Sequence, residues 1–160
     1  MVFHADPRTV FEMLADEEYV SRKATAMGAL EHDVVVQRLS SGGARIQLQR
    51  TLPSMVPDFV RPLVGNTLEI EQTEDWAAAG ADGGRRGDLN ARIANAPVRL
   101  SGSLLLLPSD AAGTIHRVDV DVRAKVPFLG GRIEQAIGEV LLMAARKEEE
   151  VGAAWLAEHE

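Results

Sequence analysis

The sequence predicts an α+β domain in which a curved antiparallel sheet wraps around one long C-terminal helix. Residues 130–159 carry apolar side chains at steps of three, four and seven, which places Ile133, Ile137 and Val140 on one helix face. Between residues 30 and 126 the apolar period changes to two, and short turns separate roughly six alternating segments. Such a meander has one buried face, which the apolar stripe of the helix needs as its partner.

Composition narrows the class of protein. A chain of 160 residues with 46% hydrophobic content is expected to form one soluble domain over residues 1–160. Its net charge of -7 disfavours nucleic acid, or an anionic membrane, as the main partner. The absence of cysteine excludes disulfides and thiolate chemistry. With neither a signal-peptide pattern nor an integral membrane segment, we expect a cytoplasmic location. The oligomeric state stays open.

Two short helices precede the sheet. Asp6 and Pro7 are suited to the N-cap and first position of the first helix. A second helix is predicted from residue 17 to about residue 27, where Gly28 ends it. The first strand, residues 3–4, is expected to be a stub.

Period-two alternation defines the strands. The clearest case is the last one, in which Val118, Val120 and Val122 face one way while Arg117 and Asp119 face the other. The predicted strand segments are residues 30–36, 44–52, 67–76, 87–93, 98–106 and 114–126.

The segment at residues 53–65 breaks this pattern. Its three prolines forbid a regular strand, yet most of its side chains are apolar. We therefore expect a short helix or lid that packs over the sheet. Its apolar members are Met55, Val56, Phe59, Val60, Leu63 and Val64.

The order of elements resembles the helix-grip fold of the START-like, or SRPBCC, superfamily. Four motifs are similar to those of an uncharacterised, mostly actinobacterial family within it: His-Ala-Asp-Pro at 4–7, Arg-Thr-Leu-Pro at 50–53, Gln-Thr-Glu-Asp-Trp at 72–76, and Val-Pro-Phe-Leu-Gly-Gly-Arg-Ile-Glu at 126–134. The resemblance covers nearly the whole chain. It implies a deep, largely apolar cavity between sheet and helix, which members use for lipids, sterols, hormones or polyketides. The resemblance does not indicate any catalytic residue in this chain.

Polar residues in the inward register are the candidates for chemistry, because burying them is costly without a partner. They are Arg50, Gln72, Glu74, His32 and His116. Arg50 and Glu74 are expected to form a cross-strand ion pair; alternatively, Arg50 grips a carboxylate or phenolate of a ligand. Both histidines lie near strand starts and are expected to be solvated or locally bonded. No metal-ligand spacing, phosphate loop or nucleophile motif is present, so we predict no metal, cofactor or catalytic residue.

Small residues favour a cavity over a filled core, although a plain packed helix remains the alternative. Lys147 and Glu148 flank the apolar stripe of the helix, and we expect them to reach outward at the cavity rim. The small inward residues are Ala136, Gly138, Ala144 and Ala145 on the helix, with Gly87, Ala91, Gly102 and Ala124 on the strands.

These observations predict a binding or carrier protein for a hydrophobic small molecule or lipid. The alternatives are a cyclase-, aromatase- or hydrolase-like enzyme that uses His116 or Glu74 as acid or base, and a module that binds a protein partner. The predicted ligand-binding residues are Ile137, Val140, Leu141 and Ala144 as floor, Phe59 and Trp76 as closure, and Arg50 and Gln72 as orienting groups.

Overall fold

The helices and strands lie close to the predicted segments. The computed structural model describes residues 1–54, 56–111 and 113–159. Its strands are β1 (Val2–Phe3), β2 (Glu31–Arg38), β3 (Ala44–Pro53), β4 (Thr67–Trp76), β5 (Arg85–Ile93), β6 (Val98–Ser109) and β7 (Gly113–Ala124). Its helices are α1 (Pro7–Leu14), α2 (Glu17–Ala26), α3 (Arg61–Val64) and α4 (Gly130–Glu158).

The strands form one curved antiparallel sheet in the order β1-β7-β6-β5-β4-β3-β2. Each of the strands β2 to β6 pairs with the next strand along the chain, as in a meander. The stub β1 crosses to the other edge, where Val2 lies opposite Ile115 of β7. With α4 across the concave face, the predicted α+β helix-grip fold class is confirmed.

Local signals account for the helix starts. The Asp6 carboxylate accepts hydrogen bonds from the backbone N–H groups of Arg8 and Thr9, as an N-cap does. The proline-rich segment folds into the single turn α3, while Met55 lies outside the described residues. In the part of the chain that the structure describes, no helix has both the length and the apolar character needed to span a membrane.

Two separate hydrophobic clusters hold the helix to the sheet. The first cluster, at the end of the sheet next to α1 and α2, includes Phe3, Phe11, Tyr19, Trp76 and Trp155. Each such side chain contributes roughly 1.5–3 kcal/mol when it is fully buried. The second cluster lies at the other end, beside α3. Its buried members are Val60, Val64, Ile93, Val98 and Ile133.

Helix α4 approaches its surroundings unevenly. A Cβ atom added at Gly152 would lie 2.5 Å from a ring carbon of Phe3 and 3.2 Å from the methyl group of Met13. A Cβ atom added at Gly138 would meet no atom within 4 Å. The helix therefore packs tightly at Gly152, whereas at Gly138 there is room for a side chain.

This contrast gives a matched pair of variants. Gly138→Ala should raise the free energy of unfolding by up to about 1 kcal/mol, because alanine is the better helix former and the space is free. Gly152→Ala should lower it by about 1–3 kcal/mol, because the methyl group collides with Phe3. Urea denaturation monitored by circular dichroism measures both. Stabilisation of both variants alike would contradict the close contact between α4 and β1.

Candidate functional site

Between the centre of the sheet and the middle of α4, the inward-facing side chains remain partly exposed, although α4 is the element that crosses this face. On the sheet these residues are Ala91, Leu100, Val120 and Val122; on the helix they are Ile137, Leu141 and Ala144. Val120 also packs against the first cluster, and Leu100, Val122 and Ile137 pack against the second, so from their partial exposure we infer a space that these residues border. We call this space between the two hydrophobic clusters the groove.

The predicted floor and closure residues occupy different parts of the groove. Ile137, Leu141 and Ala144 are half-buried along it, and Val140 is 36% exposed at its rim. Phe59 packs with the second cluster, and the guanidinium of Arg132 covers its ring at 4.1 Å from the centroid. Phe59 thus lies at the α3 end of the groove.

Trp76 lies at the opposite, inner end. It is 2% exposed, and its ring centroid is 6.1 Å from that of Phe11 and 5.7 Å from that of His116. Gly87 on the neighbouring strand makes room for it, since a Cβ atom there would lie 3.1 Å from the indole. The volume that Gly87 frees is filled by Trp76, and the predicted closing role of Trp76 stays a prediction.

A chain of hydrogen bonds follows the inward face from β3 along β4. Arg50 Nη2 donates to Gln72 Oε1 at 3.2 Å, and Gln72 Nε2 donates to Glu74 Oε1 at 2.9 Å. Trp76 Nε1 completes it by donating to Glu74 Oε2 at 3.0 Å. These neighbours fix the orientation of the Gln72 amide, because only one orientation accepts from arginine and donates to a carboxylate.

The expected Arg50–Glu74 ion pair does not form. The strand register places Arg50 opposite Ile70 and Glu74 opposite Ile46, which leaves Gln72 between the two charges. Arg50 consequently keeps its Nε buried and without a hydrogen-bond partner. The inward position of Arg50 and Gln72 agrees with the predicted parity.

A buried ion pair joins α2 to α4. Lys23 Nζ lies 3.1 Å from Glu148 Oε1, and the two side chains are only 7% and 16% exposed. Glu148 therefore points inward, contrary to the expected position at the rim, because Lys23 supplies the opposite charge that burial requires. Lys147 does face outward, where it pairs with Glu150 at 2.8 Å.

Three buried polar groups at the inner end have hydrogen-bonding atoms without a partner. They are the hydroxyl of Tyr19, the Nε of Arg50 and both ring nitrogens of His116. The charges of Glu74 and Glu148 affect the pKa of each of the three groups, so all five share one electrostatic environment. We call these five residues the inner cluster. An unmet buried polar group costs about 1–3 kcal/mol, so the inner cluster offers unused donors and acceptors to a ligand.

Burial sets the charge states of this cluster. It lowers the pKa of His116, although Glu148 and Glu74 oppose the change, so the ring is neutral at pH 7. Burial likewise raises the pKa of the Tyr19 hydroxyl, which stays protonated. Burial alone would raise the pKa of Glu148, but the charge of Lys23 and its neighbours lowers the pKa overall, so Glu148 is ionised. A neutral ring and a hydroxyl can each both donate and accept.

The two inward histidines differ. His32 shares a hydrogen bond with the hydroxyl of Ser21, as expected for a locally bonded residue. His116 is 3% exposed and has no hydrogen-bond partner among the described residues, so the same expectation is wrong for it.

The sequence patterns did not single out Tyr19 and Lys23 as site residues. Their spacing of four on α2, which puts both on one helix face, is the signal that could have indicated them.

The depressed pKa of His116 predicts acid sensitivity. Below its ordinary value of 6.5 the unfolded chain binds a proton that the folded chain resists. The free energy of unfolding should therefore fall between about pH 7 and about pH 5, by up to about 1.4 kcal/mol per pH unit. Glu148 contributes to stability over a lower pH range. Its pKa in the folded chain lies below the ordinary value of 4.5, so its contribution to the free energy of unfolding is lost as the pH falls below 4.5 through that folded pKa.

Urea denaturation across this range should show a flatter profile for His116→Leu than for the parent chain. His4→Gln, which changes an exposed histidine, is the control and should keep the parent slope. A parent profile without a slope above pH 5 would contradict the neutral, buried state of His116.

The chain is similar to several known proteins. Over residues 1–156 it matches the family described as "Protein of unknown function (DUF2505)". The uncharacterised proteins Rv0481c of Mycobacterium tuberculosis (strain ATCC 25618 / H37Rv) and Mb0491c of Mycobacterium bovis (strain ATCC BAA-935 / AF2122/97) are each 26% identical over 112 residues. The match covers 69% of this chain and 64% of the length of these relatives.

A solved structure shares the fold. The crystal structure of a conserved protein from Geobacillus kaustophilus aligns over 99% of this chain and 92% of that chain, with a TM-score of 0.58 and 14% sequence identity. At that identity the likeness concerns the fold alone. The match over nearly the whole sequence shows that this chain belongs to the DUF2505 family.

Proposed function

We propose that the protein binds or carries a hydrophobic small molecule or lipid in the groove, with the polar end of the ligand at the inner cluster. The observation that carries this proposal is the set of buried, unpartnered groups on Tyr19, Arg50 and His116 beside a partly exposed apolar groove. Membership of the START-like (SRPBCC) superfamily and a location in the cytoplasm are parts of the same proposal.

The walls of the groove suit an aliphatic ligand. Ile137, Leu141 and Ala144 present apolar groups from α4, while Leu100 and Val122 present them from the sheet. Placing a chain of methylene groups there would remove apolar surface of both protein and ligand from water, at about 25 cal/mol per Å². Ligand pockets of this kind combine an apolar lining with a few polar groups that fix orientation.

The unpartnered groups of the inner cluster offer donors more often than acceptors, while its two carboxylates are already engaged by Lys23, Gln72 and Trp76. The Arg50 guanidinium is charged and planar. One of its terminal nitrogens donates a hydrogen bond to Gln72, while its Nε has no partner among the described residues. The Tyr19 hydroxyl and one nitrogen of neutral His116 add two further donors. This arrangement favours a carboxylate, phenolate or carbonyl group, because each accepts from several donors at once.

Filling the groove should block uptake. Ala144→Trp places an indole between α4 and the sheet, and we expect it to abolish ligand retention with little change in the far-UV circular dichroism. Ala154→Trp makes the same change on the exposed side of the same helix and should leave retention intact. Native mass spectrometry of freshly purified protein, followed by solvent extraction, measures occupancy. Equal retention by both variants would remove the groove as the binding site.

Removing the arginine should change selectivity. Arg50→Leu should weaken binding of a long-chain carboxylic acid by about tenfold or more, because a charge-assisted hydrogen bond is lost. Binding of the alcohol of equal chain length should change less. Arg45→Leu is the control, since Arg45 lies on the same strand but points outward, where it pairs with Asp75 at 2.6 Å. Fluorescent-probe displacement gives the affinities, and equal losses for acid and alcohol would contradict head-group recognition by Arg50.

An enzyme is the second candidate, favoured by the neutral and unpartnered ring of His116. Such a ring can take a proton from a substrate that reaches the inner end, as a general base does. Glu74 is less free, because Gln72 and Trp76 both bond to its carboxylate. In the mass-spectrometric assay, an enzyme would release a compound of altered mass. A partner-binding module would instead retain a protein and no small ligand.

A further inference from the structure

Three arginines form a row on the convex face of the sheet. Arg92 of β5 lies directly opposite Arg99 of β6, which in turn lies directly opposite Arg123 of β7. Like charges in directly opposed positions destabilise a sheet. Glu71 of β4 lies directly opposite Arg92 and relieves the repulsion at that end of the row. A bound counter-charge would relieve the repulsion that remains.

The ends of the row are neutralised, but its centre is not. Arg92 pairs with Glu71 at 2.7 Å, and Arg123 pairs with Asp121 at 2.9 Å. Among the described residues, Arg99 has no carboxylate within ion-pair distance. The guanidinium of Arg99 is thus available, and its two neighbours hold their own side chains in place beside it.

The row borders a hollow of about 300 Å³ at the turn between β5 and β6. Four cationic residues line it, together with apolar residues of the turn and of the adjoining strand ends, and the described lining residues include no carboxylate. Lys125 is the fourth cation, and its backbone N–H donates to the carbonyl of Pro97 at 3.0 Å. That bond fixes the end of β7 against the turn, so the four cations come from three adjacent strand ends.

We propose that this hollow binds a phosphate group, with Arg99 as its central ligand. Arginine offers paired donors that match two phosphate oxygens at once, and Lys125 adds a point charge. The arginines of the row are separate from the inner cluster, because alternate residues of a strand point to opposite faces. A net charge of -7 over the whole chain makes such a concentration of cations a local feature that composition does not reveal.

Two sources share this chemistry: a soluble phosphate and the head group of a lipid. Phe128 can distinguish a soluble phosphate from a lipid head group, because it lies three residues beyond Lys125 and its side chain is fully exposed. An exposed aromatic ring close in sequence to a cation can enter the interface of a membrane, whereas it adds nothing to the binding of a free anion. Phe128→Ala therefore separates the two sources.

The first arm of the test is an NMR titration of the full chain with inorganic phosphate, at constant ionic strength. We expect saturable shifts confined to the amides of residues 92–99 and 123–125. Arg99→Gln should weaken binding by about tenfold or more, and Arg99→Lys should weaken it less. The control is Arg117→Gln, which changes another outward arginine of β7, paired with Asp119 at 2.7 Å, and should leave binding unchanged.

The second arm is sedimentation with phosphatidylcholine vesicles, with and without phosphatidylglycerol. Binding that needs phosphatidylglycerol and falls in both Arg99→Gln and Phe128→Ala identifies a lipid head group. A saturable phosphate response without vesicle binding identifies a soluble phosphate. The proposal is overturned if neither arm gives a response at this turn, or if Arg117→Gln loses as much binding as Arg99→Gln.

Discussion

Helix α4 is attached at two places, and the rest of the molecule depends on that double attachment. Near its C-terminal end, Gly152 and Trp155 fit against the first hydrophobic cluster, and near its start Ile133 enters the second. Between these two attachments the inward side chains of α4 and of the sheet are only partly buried, so the inferred groove follows from how the helix is anchored.

The polar side chains of the groove fall into a satisfied part and an unsatisfied part. Lys23 and Glu148 neutralise each other between α2 and α4, and Glu74 accepts two hydrogen bonds from its own strand. Those contacts make burial of the carboxylates tolerable. The Tyr19 hydroxyl and the ring nitrogens of His116 have no hydrogen-bond partner among the described residues, and this lowers the stability of the unliganded chain. Natural sequences keep such costs where function needs them, which is why the inner cluster outweighs the apolar lining as an indication of binding.

The period of the apolar residues was enough to predict the helices and strands, and also the face on which most side chains lie. Strand β4 and helix α4 match their predicted ranges almost residue for residue, and parity placed Arg50 and Gln72 inward. The predictions that were wrong depend on contacts between different helices and strands, which the pattern within one helix or strand does not contain. The register between β3 and β4 decides that Gln72 separates Arg50 from Glu74. The contact between α2 and α4 decides that Glu148 turns inward, since its angle on the helix left both directions open.

The arginine row has the same origin as the second hydrophobic cluster. At the ends of β5, β6 and β7, each inward apolar residue of that cluster adjoins an outward arginine, as Ile93 adjoins Arg92 and Val98 adjoins Arg99. Because the side-chain period is two, the pairing that buries Ile93 opposite Val98 also brings Arg92 opposite Arg99. A slip of one residue would bury the charges and expose the apolar side chains. The core therefore holds the cations together against their repulsion, and this convex face can gather positive charge while the chain as a whole is acidic.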